Sequence, residues 1–175
     1  MKRRPLLRSA GALTTAGLLG ASTNSVLAQS DRGEFERQIA DVRRATAKYN
    51  NVNNAVSDGY AYANTVPQMG HHFINSTLLG APEEPGPMDV LKPEILVYGQ
   101  ANENSRPLLG AVEYADWQGA RDLFDHEDEV WSPPGDPGPP FYTLHVWCHS
   151  NNPDGIFAPL NPRPQFNPPD QDPLE

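Results

Sequence analysis

The chain has 175 residues, 13 Lys/Arg against 22 Asp/Glu, and a formal charge of −9, which fits one domain with an acidic surface. Past the N-terminus no cluster of Lys and Arg occurs, which argues against nucleic acid or anionic lipid as a partner and leaves a metal ion or small molecule. The single cysteine, Cys148, excludes an internal disulfide, so the core alone must hold the fold.

Residues 1–28 read as an export signal. Lys2, Arg3, Arg4 and Arg8 form a positive start, and an apolar Gly/Ala/Leu-rich run follows over residues 10–21. Val26-Leu27-Ala28 then offers permissive residues for a signal peptidase. The apolar run is too short and too glycine-rich to anchor the chain in a bilayer. The adjacent arginines resemble a twin-arginine signal, with an ordinary secretory signal as the alternative. Either one predicts an extracytoplasmic protein with no membrane anchor after cleavage.

Residues 29–164 are predicted to form a single α+β domain, and residues 165–175 a disordered acidic tail. In residues 31–50, Phe35, Ile39, Val42, Ala45 and Tyr49 recur at helical spacing opposite Arg37, Asp41, Arg44 and Lys48. Ser30 or Asp31 is the expected N-cap. A second helical piece covers 52–58 and stops at Gly59. Residues 60–66 are ambiguous and closed by Pro67, whereas 71–75 read as a brief strand. After a Pro/Gly/Glu loop over 79–93, residues 93–98 and 108–117 form a hairpin across an Asn/Ser-rich turn. Residues 120–124 have helical character, 125–129 are an acidic run, and 132–140 are a proline-glycine spacer. Residues 141–149 are the best strand in the chain. The 19 prolines fall almost wholly between these segments. The predicted class is therefore α+β: an antiparallel sheet of four to five strands, packed by the N-terminal helix and joined by long Pro/Gly-rich loops. Partial closure into a barrel stays open at this level.

The candidate ligands are His71, His72, Glu113, His145 and His149. Neutral imidazole binds zinc, copper and iron well near neutral pH. Strand parity sends His71 and His72 to opposite faces, and puts His145 with Thr143 and Trp147. His149 joins that face only if the strand runs so far. Cys148 falls on the other face as a small buried residue. Glu113 interrupts an otherwise apolar strand and, if buried, needs a partner. In residue type the set is similar to that of cupins, without their spacing and glycine pattern. There is no H-E-x-x-H, no paired C-x-x-C and no G-x-S-x-G nucleophile elbow. The acidic run 125–129 lacks the alternation and central glycine of a calcium loop and reads as a solvated stretch.

Six blocks carry a resemblance: residues 58–60 (DGY), 67–73 (PQMGHHF), 93–98 (PEILVY), 109–114 (LGAVEY), 144–147 (LHVW) and 152–162 (NPDGIFAPLNP). They resemble a family of exported bacterial and archaeal proteins of unknown function, bearing twin-arginine-type signals and marked by MG-x-H and LH-x-W blocks. The resemblance brings no activity. It implies that His71, His72, Glu113 and His145 lie inside recognisable blocks and His149 at a margin, and it favours His72 as the ligand in the MG-x-H block. The expected function is an exported binding protein with a His/Glu transition-metal site for zinc, copper or iron. The alternatives are a small secreted hydrolase or isomerase using the same residues, and a structural or interaction domain with no site.

Overall fold

The computed structural model describes residues 22–135 and 138–174. The described residues form β1 (Ala61–Val66), β2 (Gly70–Ile74), β3 (Gly80–Ala81), β4 (Glu84–Pro85), β5 (Ile95–Gly99), β6 (Leu108–Asp116) and β7 (Tyr142–Val146). Five of them make one antiparallel sheet in the order β1-β2-β5-β6-β7, a meander interrupted only by the small β3–β4 ribbon. The sheet is open, with β1 and β7 at its edges, so the fold is α+β and not a barrel.

Helix α1 spans Ser22–Thr46 and starts upstream of the predicted cap. Residues 22–32 hold neither proline nor glycine, so nothing in the backbone stops the helix at Ser30 or Asp31. Residues 1–21 of the predicted signal lie outside the described residues. A 3-10 turn, Ala47–Asn50, leads to α2 (Val52–Ser57), where the Asn51 side chain accepts from the Asn53 amide at 3.2 Å as N-cap. The chain leaves α2 through Gly59 at φ 92°, as predicted.

The helices cover one face of the sheet. Phe35, Ile39, Val42, Tyr49, Val52 and Ala55 pack with Phe73, Leu96, Tyr98, Val112, Tyr114, Leu144 and Val146. The strand residues in this set share one parity on each strand, which is how a pleated sheet sorts its side chains. The Tyr98 hydroxyl donates to the Tyr49 carbonyl at 2.8 Å and ties the 3-10 turn to the sheet. Residues of the other parity meet loop side chains. Leu79 of α3 (Ser76–Leu79) and Phe141 join Ile95 and Ala115, with Trp117 against them, while Trp147 and Phe166 join Val97 and Ala111.

Three segments depart from the sequence reading. Residues 120–124 are not helical, because the Glu129 carboxylate accepts the amides of Leu123 (2.9 Å) and Phe124 (2.7 Å) and a loop forms instead. Strand β7 ends at Val146: the Trp147 amide donates to the Ile156 carbonyl at 2.9 Å and the Cys148 amide to Val146 at 2.8 Å, turning the chain out of the ladder. The tail predicted from residue 165 is docked at its start, in a 3-10 turn Pro164–Phe166 whose Phe166 is only 2% exposed.

Candidate metal centre

Strand pairing alone brings three polar residues together on the loop-covered face. Glu113 on β6 stands opposite His145 on β7. His72 comes from β2, with β5 between it and β6. On β5, Val97 pairs with His72 and Ile95 pairs with Glu113, so the His72 and Glu113 side chains meet above that strand. The His72 Nε2 lies 3.5 Å from one carboxylate oxygen of Glu113, and the His145 Nδ1 lies 3.3 Å from the other. One ligand-type atom from each residue falls within 4.8 Å of the other two.

All three side chains are buried, at 6%, 4% and 3% exposure for His72, Glu113 and His145. Apolar residues flank them: Val97, Ala111 and Trp147 on one side, Ile95 and Ala115 on the other. The Trp147 ring stacks on His145, with centroids 6.2 Å apart and planes 16° from parallel. Burial pushes Glu113 up to about 8, against a hydrogen bond from the Thr143 side chain that favours the carboxylate. Burial likewise holds His72 down at about 4 and His145 at about 3, the nearby His72 adding to the latter. Burial thus opposes charge on all three groups.

Their hydrogen bonding is incomplete. Glu113 Oε2 is buried without a protein hydrogen-bond partner, and so is the other ring nitrogen of each histidine, His72 Nδ1 and His145 Nε2, the ones that do not face the carboxylate. Each such atom costs about 1–3 kcal/mol. A divalent cation fits His72 Nε2, His145 Nδ1 and the Glu113 carboxylate, since it would recover the cost of the ionised carboxylate and satisfy Glu113 Oε2; the outer nitrogens of the two rings would gain nothing from it. Ligand atoms around a tetrahedral zinc stand about 3.4 Å apart, close to the two His–Glu separations; the imidazoles would draw together on binding.

The other two predicted ligands are elsewhere. His71 faces the helical side and is fully engaged. The Gln100 side-chain nitrogen donates to the Ser105 carbonyl at 2.7 Å, so its oxygen accepts from His71 Nε2 at 3.0 Å. His71 Nδ1 then accepts from the Thr65 hydroxyl at 2.8 Å, and Thr65 from Tyr62 at 2.9 Å. This chain clips β1, β2 and the following turn together. His149 lies beyond the end of β7, so the parity that joined it to His145 does not apply. Its Nε2 donates at 2.8 Å to the Thr46 hydroxyl of α1, which itself donates to the Val42 carbonyl. It borders a separate cavity of about 470 Å³ shared with Arg43, Ser150 and Asn152.

Cys148 lies past the end of β7 yet is buried on the helical face, where the sequence reading put it, and burial raises its thiol to about 12, which disfavours a thiolate nucleophile. The acidic run 125–129 is committed to its own loop through Glu129, and His126 packs against Phe35 and Phe157. Thr143, placed by parity on the face of His145, supports Glu113 with its side chain, a role the sequence reading did not assign. One residue around the centre escaped the sequence reading. Phe166, an isolated aromatic in a polar tail, gave no such signal.

The fold and this cluster define an open-sheet α+β domain with a buried His-His-Glu centre. No family model, curated protein or solved structure matches the chain.

Proposed function

We propose that this is an exported binding protein that holds one divalent transition-metal ion on His72, Glu113 and His145. A single observation carries the reading: three potential ligands from three strands converge in a buried site, with their ligand-type atoms within 4.8 Å of one another. Two imidazoles and one carboxylate suit zinc or iron(II), with copper(II) favoured by the general affinity order, whereas magnesium and calcium prefer oxygen alone. Export is supported by the paired arginines, apolar run and Ala28 of the N-terminus. No helix among the described residues is long and apolar enough to cross a membrane.

Three protein ligands leave coordination positions free, the arrangement of catalytic zinc and of non-haem iron. That favours a secreted hydrolase or isomerase as the second reading, with the metal polarising a substrate or activating water. The near-complete burial of the three side chains favours binding over turnover of a bulky substrate. A domain with no site is opposed by the cost of burying these groups unpaired.

The test is elemental analysis of protein recovered folded from the extracytoplasmic fraction. The expected result is close to one metal equivalent per chain, lost in a His72→Ala/His145→Ala double variant. Metal-free protein whose stability does not change in the double variant overturns the reading.

A further inference from the structure

The loop-covered face carries one segment that is attached unlike the rest. Residues 161–174 stay outside the sheet ladder, and their 3-10 turn Pro164–Phe166 packs against β2 and β5. Two backbone hydrogen bonds hold them there: the Asn161 amide to the Gln68 carbonyl and the Gln100 amide to the Gln165 carbonyl, each 2.7 Å. Directly after the second point Phe166 drops into a niche built by glycines. A Cβ at Gly99 would stand 2.7 Å from the Phe166 ring and one at Gly110 2.3 Å from it, so any side chain at either position would evict the ring. At Gly70, φ is 106° and a Cβ would strike the Tyr98 carbonyl at 2.3 Å.

The niche adjoins the metal centre. Gly70 lies two residues before His72 on β2, and Val97 and Ala111 line both places. Phe166 meets the Trp147 ring edge-on at 4.7 Å, and Trp147 stacks on His145. Phe166, Trp147 and His145 thus form one row of rings from the segment to a ligand. Pro162, Pro164, Pro168, Pro169 and Pro173 stiffen the segment and remove amide donors, so beyond the buried Asn161 and the two backbone bonds Phe166 is its main apolar anchor.

We propose that residues 161–174 are a hinged cover for the centre, latched by Phe166, and that metal passes in and out when this ring leaves its niche. The passage of metal rests on the metal-binding reading above; the covering of His72 and His145 does not.

Two measurements test it. In metal-stripped protein, the rate at which diethyl pyrocarbonate modifies His72 and His145 is followed by mass spectrometry. In metal-loaded protein, the rate of metal transfer to an excess of chelator is followed. Phe166→Ala is expected to speed both by about tenfold or more, as loss of one buried aromatic contact implies. Phe166→Leu, which refills part of the niche, should fall between. Phe141→Ala, at the other end of the same face, should leave both near the wild-type rate. Modification of His145 that Phe166→Ala does not accelerate, or that Phe141→Ala accelerates equally, overturns the cover. Protein that binds no metal but whose histidines open in Phe166→Ala keeps the cover and removes the metal. Protein that binds metal and exchanges it at one rate in every variant does the reverse.

Discussion

Neighbouring histidines here have opposite fates. His71 and His72 differ by one position, and the alternation of a strand puts one in a closed hydrogen-bond chain and the other in a ligand cluster. Replacing His71 by Ala breaks the clip between Thr65 and Gln100 and opens a hole, so a loss of about 2–4 kcal/mol is expected in urea unfolding. Metal stoichiometry should not change in that variant; a loss of metal would place His71 in the centre after all. Glu94 offers a second residue-scale expectation. It is 1% exposed, its carboxylate accepts the Ala115 amide at 3.1 Å, and burial lifts it to about 7. The native state thus holds a proton on Glu94 that the unfolded chain has already released. Its contribution is fully present below pH ~4.5 and is lost as pH rises through about 7. Glu94→Gln removes that slope, so the stability gap between variant and wild type should widen in favour of the variant by on the order of 3 kcal/mol across this window. Parallel unfolding curves for the two proteins at each pH would refute it.

At the level of elements, the sheet was readable wherever pattern and punctuation agreed. The β5–β6 hairpin, the start of β7, α2 with its Gly59 stop, and the Phe35–Tyr49 stripe all follow from local periodicity. Three losses share one feature, a group outside the segment itself deciding its conformation or packing. Ile156 captures the Trp147 amide and ends β7 early, Glu129 takes the amides that a helix at 120–124 would use, and Gly99 and Gly110 make room for Phe166. The same limit applies to the centre. Parity alone separated His72 from His71 and matched His145 with Trp147. That β2 would lie two strands from β6, with only β5 between, was not legible, because strand order is not written in any one segment. His149 was retained because nothing in residues 141–149 announces the turn after Val146.

On the scale of the molecule, the two faces of the sheet divide the work. The helical face holds the large continuous apolar cluster, and the loop face holds the polar centre between two small ones. The three ligands are far apart in sequence, on the second, fourth and fifth strands of the sheet. A metal ion bound there, as proposed, would brace the finished sheet and would have no short loop to organise by itself. Chain closure over such separations is slow and must precede binding. The ion is therefore expected to arrive after the rate-limiting step of folding. Refolding in chelator and in stoichiometric zinc should proceed at the same rate, while unfolding is slower with zinc. Faster refolding with zinc would show that the ligands meet early. If the proposed ion binds in that order, the compartment in which the sheet first closes would decide which ion the protein carries, and the buried centre would keep a record of where the chain folded.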